Sequence, residues 1–195
     1  MIALSLVLWV NAAATEAVPP LKTGDIVLQA SRSERAETIR KVTKSPYSHV
    51  GIVEVAKDGV FVVEAISPVS RTPFEKWRRR GIDGQLTVMR PRLAPKLLKA
   101  AIESAKHELG KPYDSRYAWD DEKLYCSELV VKAFERAAHV TYGERVRLDQ
   151  LHLNFFERAF AAKEGVPLSQ EVVPPGTLAA DPKLDVVFSD VVASR

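Results

Sequence analysis

Apolar positions along the chain change period several times, and each change marks an element. Ile26, Val27 and Leu28, inside Asp25 to Gln29, form a short unbroken apolar run, as expected of a strand buried on both faces. Ser31 then stands ahead of a helical pattern with Glu34 at capping-box spacing. That helix has to stop before Pro46, because a proline pushes the preceding residue out of helical geometry. His49 to Val55 and Val60 to Ile66 are β-branched runs joined by Ala56-Lys57-Asp58-Gly59, where Asp-Gly signals a hairpin. Thr72-Pro73-Phe74-Glu75 reads as another capping box, opening a short helix that Gly81 closes, and Gln85 to Arg90 reads as a third central strand.

The pattern then turns helical. Pro95 opens a helix to Leu109, with Gly110 where a C-cap glycine is expected. A second helix begins in Leu124-Tyr125-Cys126-Ser127-Glu128 and sets Leu129, Val130, Ala133, Phe134 and Ala137 on one apolar stripe. From Thr141 onward the pattern is less regular. A helix is expected over Leu153 to Lys163, a turn at Pro174-Pro175-Gly176, and either an edge strand or a surface segment at Val186 to Phe188. Strands clustered early with helices around them predict an α+β fold, an antiparallel sheet packed against helices. No repeat or long linker interrupts residues 18 to 195, which read as a single domain.

The first seventeen residues stand apart. Ile2 to Val10 form an apolar core and Asn11-Ala12-Ala13-Ala14 supplies small residues, the arrangement of a signal peptide cleaved after Ala14 or Ala17. The mature chain is then periplasmic or extracellular. No Lys or Arg precedes Ile2, so a mis-assigned start or a short membrane anchor accounts for the same residues, although the run is short for a bilayer-spanning helix. The net charge of +3 is spread along the chain, which argues against nucleic acid as a partner. No Gly-rich phosphate cradle and no ligand-spaced Cys/His set occur, so neither cofactor nor metal is expected.

Export changes the meaning of the single cysteine, Cys126, which has no partner for a disulfide. At a helix N-terminus, unpaired N–H groups and the helix dipole favour a thiolate, and the same N–H groups can receive an oxyanion. The bland reading is a small buried hydrophobe, the usual state of a cysteine. A nucleophile needs a base. His139 is about 20 Å along the helix from Cys126 at about 1.5 Å per residue, and His107 and His152 have ordinary surface readings. His49 opens a strand of buried β-branched residues, where its ring N–H needs a partner.

Glu64 interrupts the facing strand and is the natural partner, since a buried carboxylate is costly unless paired. If Ala56 to Gly59 form a four-residue loop, Glu64 faces Gly51 and sits diagonally from His49, with Cβ atoms about 7 to 8 Å apart. A two-residue turn at Asp58-Gly59 would instead separate them by about 13 Å. The alternative for this pair is an ion pair that only satisfies polar groups in the sheet. With Cys126, the three residues fit nucleophile, general base and orienting carboxylate.

The stretches Lys22-Thr23-Gly24-Asp25-Ile26-Val27-Leu28, Tyr47-Ser48-His49-Val50-Gly51-Ile52-Val53, Glu64-Ala65 and Tyr125-Cys126-Ser127-Glu128-Leu129-Val130 together resemble the permuted papain-like amidases of the YaeF/YiiX type, among the circularly permuted NlpC-like cysteine hydrolases. As in that group, the histidine strand precedes the cysteine helix. The resemblance extends to Gly110-Lys111-Pro112-Tyr113-Asp114 and Pro175-Gly176-Thr177-Leu178-Ala179. It implies a circularly permuted papain-like fold, with Cys126 as nucleophile, His49 as base and Glu64 as its orienter. It also implies a small-molecule, peptide or lipid-linked amide substrate. Two alternatives stay open: acyl transfer or phospholipid hydrolysis, as in the related lecithin:retinol acyltransferase-like enzymes, and a non-catalytic binding module. For the acyl-transfer reading, Phe74, Trp77 and Arg78-Arg79-Arg80 offer a surface for a membrane partner, set against a plain solvated basic face.

Overall fold

The computed structural model describes residues 17–191. The signal-peptide assignment therefore falls almost entirely outside the described residues. Strand β1 (Ile26–Gln29) runs through the middle of a six-stranded antiparallel sheet, and all four of its residues are buried, as its unbroken apolar run requires. On one side β1 pairs with β2 (His49–Ala56), which pairs with β3 (Gly59–Glu64) and then β4 (Ser70–Pro73). On the other it pairs with β5 (Thr87–Pro91), and the apolar run near the C-terminus becomes the edge strand β8 (Leu184–Ser189).

Side-chain alternation splits the core into two layers. Ile26, Leu28, Val50 and Ile52 face the helices α3 (Pro95–Lys106) and α4 (Cys126–Ala138). Val27, Val53, Val62 and Val88 face Phe74 and Trp77 of α2 (Phe74–Arg79) on the opposite side. The fold is α+β, with the cysteine helix packed on the sheet.

Local details depart from the sequence reading where a stronger pairing intervenes. Helix α1 (Glu34–Thr43) is capped by Ser33, whose hydroxyl accepts from the Ala36 N–H at 3.1 Å. Ser31 is engaged elsewhere, its N–H donating to Ser48 Oγ at 2.9 Å. Thr72 and Pro73 do not form a capping box, because they extend β4 along β3, and α2 starts from Pro73 with no side-chain cap. A proline is tolerated there because β4 is an edge strand. Helix α3 ends at Lys106, and the chain turns through to Gly110, which takes φ +88°.

The hairpin register matters most. The chain turns at Lys57-Asp58, and Gly59, with φ +141°, already pairs with Ala56. The ladder continues to Ile52 against Val63, so the next pair sets Glu64 opposite Gly51. This is the register that the longer loop was needed for, reached by a tight turn one residue earlier than Asp58-Gly59.

Beyond α4 the chain forms a small β6–β7 pair (Val146–Arg147 with Glu171–Val172), helix α5 (Phe155–Lys163) and helix α6 (Pro175–Ala179). This stretch is fastened to the start of α4 at Val173. Its carbonyl accepts from Ser127 Oγ at 2.5 Å, and its N–H donates to the Tyr125 hydroxyl at 3.2 Å.

Candidate active site

Cys126 is the first residue of α4, and its residue is 4% exposed. Tyr125 precedes it in extended geometry, its N–H donating to Glu128 Oε2 at 3.2 Å, which fixes the entry of the chain into the helix. Glu128 also pairs with Lys132 at 2.8 Å. Burial nonetheless raises the Glu128 carboxyl to about 7, against the pull of Lys132. The first N–H groups of a helix have no intrahelical acceptor, so those around Cys126 are available to negative charge.

His49 is the first residue of β2. Its Nε2 lies 2.5 Å from Glu64 Oε2, which leaves Nδ1 as the nitrogen free for Cys126, whose sulfur is near enough to act on the imidazole pKa. Burial alone would lower the imidazole pKa. The hydrogen bonds to Cys126 and Glu64, with the negative charges behind them, override that and push it up to about 9. Burial works to raise the Glu64 carboxyl, and it is overcome by the His49 hydrogen bond and charge, by the charge of Arg80 and by a hydrogen bond from Thr72. Its pKa is lowered overall.

The sequence thus placed three residues that the fold brings together. It missed two that complete the carboxylate's surroundings. Arg80 Nη2 binds Glu64 Oε1, and Thr72 reaches the same carboxylate from β4. A signal for Arg80 existed: Phe74, Trp77 and Arg80 recur at i+3 on α2, and Phe74 and Trp77 are buried, so Arg80 shares their inward side. Phe74 and Trp77 face the sheet, so neither side chain is part of the surface that the acyl-transfer alternative would offer to a membrane. Of the remaining histidines, His107 follows α3, His139 ends α4 and the His152 N–H donates to the Val42 carbonyl, and none of the three lines the Cys126 cavity or the His49 cavity.

Tyrosines surround the sulfur. Burial, with the negative charge at Cys126, holds the phenols of Tyr113 and Tyr117 above their ordinary pKa, so both keep their protons and can donate. Tyr117 has φ +55°, a strained geometry for an aromatic residue. Gln170 holds it there, donating through Nε2 to the carbonyls of Arg116 and Tyr117, both at 2.7 Å. Tyr47 is bound away at Thr87 Oγ1, 2.8 Å.

Two cavities meet over these groups. The larger, of about 670 Å³, contains Cys126 and is walled by side chains such as Val42, Leu151, Phe156, Phe160 and Val172. The smaller, of about 420 Å³, contains His49 and is lined by Arg32, Arg35, Arg80, Ser31 and Ser48. Arg35, Ile39 and Tyr113 border both.

A sheet packed on a cysteine helix, with a histidine strand supplied earlier in the chain, defines a papain-like fold of permuted order. The chain belongs to the permuted papain-like amidase family, YaeF/YiiX, C92, whose pattern it matches over residues 20–188. It is 33% identical to the uncharacterized protein YiiX of Escherichia coli K12 over 175 residues, 87% of each chain. It also resembles the crystal structure of the metalloprotein yiiX from Escherichia coli O157:H7, with TM-score 0.80 and 34% identity, over 87% of this chain and 97% of that one. Among the described residues no three His, Cys, Asp or Glu side chains converge as a metal site. Both Glu64 oxygens are already occupied by His49 and Arg80. The donor set among the described residues does not fit a metal.

Proposed function

We propose that this chain is an exported cysteine hydrolase that cleaves an amide bond through a thioester at Cys126. The observation that carries this reading is the position of His49, with Nε2 on Glu64 and its other nitrogen left free for the neighbouring sulfur at the start of α4. The Cys126 thiolate adds to the carbonyl carbon, and the oxyanion is received by N–H groups at the α4 N-terminus. His49, held protonated, delivers its proton to the departing nitrogen as the C–N bond breaks. Water, deprotonated by His49, then cleaves the thioester, releasing the acid and restoring the thiolate. Glu64 keeps the ring in one orientation, and Arg80 keeps Glu64 in place.

The substrate is a small-molecule, peptide or lipid-linked amide. The apolar cavity beside Cys126 also favours a second reading, in which an alcohol or amine replaces water and the acyl group is transferred. Export rests on the character of residues 1–17 alone, and sequencing the N-terminus of the protein from fractionated cells tests it. The chemistry is tested by incubating the protein with candidate amides and weighing Cys126 by mass spectrometry. A mass increase equal to the acyl group supports the mechanism. Amide cleavage by a purified Cys126→Ala protein would rule it out.

A further inference from the structure

Buried polar atoms without a partner among the described residues gather beside the His49–Glu64 pair. They are both amide atoms of Gln29, the indole Nε1 of Trp77 and the Nε of Arg80. Gln29 and Trp77 are fully enclosed. Buried groups of this kind are hydrogen-bonded in nearly all folded proteins, and a chain that leaves several unpaired in one place gives up stability there. Such local violations collect at functional sites.

Sheet geometry brings Gln29 to this place. It is the last residue of β1 and stands directly opposite His49 in the β1–β2 ladder, so both side chains leave the same face of the sheet. That face is the one covered by α2: Val27, two residues before Gln29, and Val62, two before Glu64, both face Phe74 and Trp77. The Trp77 ring centroid lies 6.4 Å from that of His49. The amide also fits closely against the end of α2. A Cβ on Gly81 would lie 2.6 Å from the Gln29 side-chain oxygen, so Gly81 leaves room that the amide takes up.

We infer that Gln29 is a positioning residue for the reaction, acting through His49 and Arg80: its amide dipole gives the buried charges of His49, Glu64 and Arg80 the polar surroundings that water would otherwise supply. The inference rests on the amidase reading and adds a residue to it. A buried ion pair keeps its charges only when further dipoles face it, and preorganised dipoles do so without rearranging as the proton moves. Glu64 is fully enclosed and His49 is 8% exposed, so solvent contributes little. The amide is not needed as a tie between elements. The ends of β1 and α2 are already joined through the backbone, the Arg32 N–H to the Arg80 carbonyl at 3.1 Å and the Ile82 N–H to the Ala30 carbonyl at 2.8 Å.

Gln29→Met tests this, because methionine keeps the unbranched shape and removes the amide. The charged groups that face His49 stay in place: Glu64 on β3, Arg80 after α2, Cys126 on α4, and Arg32 and Arg35 across the smaller cavity. The variant is expected to melt cooperatively at the wild-type temperature or above it, since the atoms it removes have no partner to lose. Its kcat for amide cleavage should fall about tenfold or more, with KM within about twofold. The His49 titration, followed by imidazole nitrogen shifts in NMR, should move to lower pH, because a charged ring in poorer surroundings gives up its proton more readily. A residue that only fills the core would leave that titration where it is. A wild-type kcat or an unmoved His49 titration overturns the inference. So does a Gln29→Met protein that fails to melt cooperatively, which would make the amide part of the core's own bonding. A moved titration in a protein whose wild type cleaves no amide would overturn the amidase reading instead and leave Gln29 in its role toward His49.

Discussion

Arg80 holds the oxygen of Glu64 that His49 leaves free. The carboxylate is fully buried, so each of its oxygens needs a partner, and the two partners come from different elements, β2 and the end of α2. Replacing Arg80 by Ala should leave Glu64 half-satisfied, at a cost of about 1–3 kcal/mol. It should also let the Glu64 pKa rise. The acid limb of the rate profile is then expected to move to higher pH, with a lower kcat. A variant that loses stability with an unmoved acid limb would assign Arg80 a structural part only.

Removing the sulfur should change the base. In a Cys126→Ala protein, His49 loses a hydrogen bond and a negative neighbour while its burial remains, so its pKa should fall below about 9. Imidazole nitrogen shifts in NMR titrations of both proteins would measure this. Turnover should vanish, and the melting temperature should change little, since the substitution removes one small buried atom. An unchanged His49 titration would mean that ring and sulfur do not interact in solution.

Stability should depend on pH through the same ring. His49 holds its proton to about 9 in the folded protein, against 6.5 for an ordinary histidine. Between those values the folded state binds more protons than the unfolded one, so the slope of stability with pH is negative. The contribution is present in full below 6.5 and lost as pH rises through about 9. Thermal melts of wild type and His49→Gln should therefore converge across that window. The rate of amide cleavage should show its alkaline limb near the same upper value, where the proton for the leaving amine is lost. A gap between the two proteins that widened with rising pH would contradict this assignment.

Gly51 is needed for space. A Cβ there would lie 2.9 Å from the Val63 carbonyl and 3.3 Å from Glu64 Cβ, and it would also collide with the Val62 side chain. Gly51→Val is expected to cost about 1–3 kcal/mol through overpacking. It should also lower kcat more than it raises KM, because Glu64 is displaced from His49. Both effects are readable from a denaturant melt and steady-state kinetics on one preparation.

Most of the sheet could be read from the sequence because burial imposes a period on strands. The Ile26-Val27-Leu28 run announced a central strand, and the β-branched hairpin announced its neighbours. The capping-box spacing picks Ser31 as the helix cap, whereas Ser33 caps the helix and the Ser31 N–H is engaged by Ser48. Thr72-Pro73 was misread for a related reason: pairing with β3 outweighs a local capping pattern. At the site, His49 and Glu64 were recognisable as polar residues that are costly in apolar strands, and Cys126 as a lone thiol at a helix N-terminus. Arg80 was hidden in a run of three arginines, where only its i+3 relation to Trp77 set it apart. The apolar cavity left no signal at all, because its walls come from residues far apart in sequence that meet only after folding.

The candidate reacting groups and their supports come from residues 49 to 80 and the start of α4, whereas much of the cavity beside Cys126 is walled by the stretch from Leu148 to Pro175. That stretch is pinned to the helix start at Val173 through Tyr125 and Ser127. The reacting groups and the cavity wall thus occupy separate lengths of the chain, tied together at Val173, at Gln170 and at His152. Such a layout lets evolution exchange the wall as a cassette, retuning what is cleaved without disturbing how, and it makes the same segment the place to graft a new specificity.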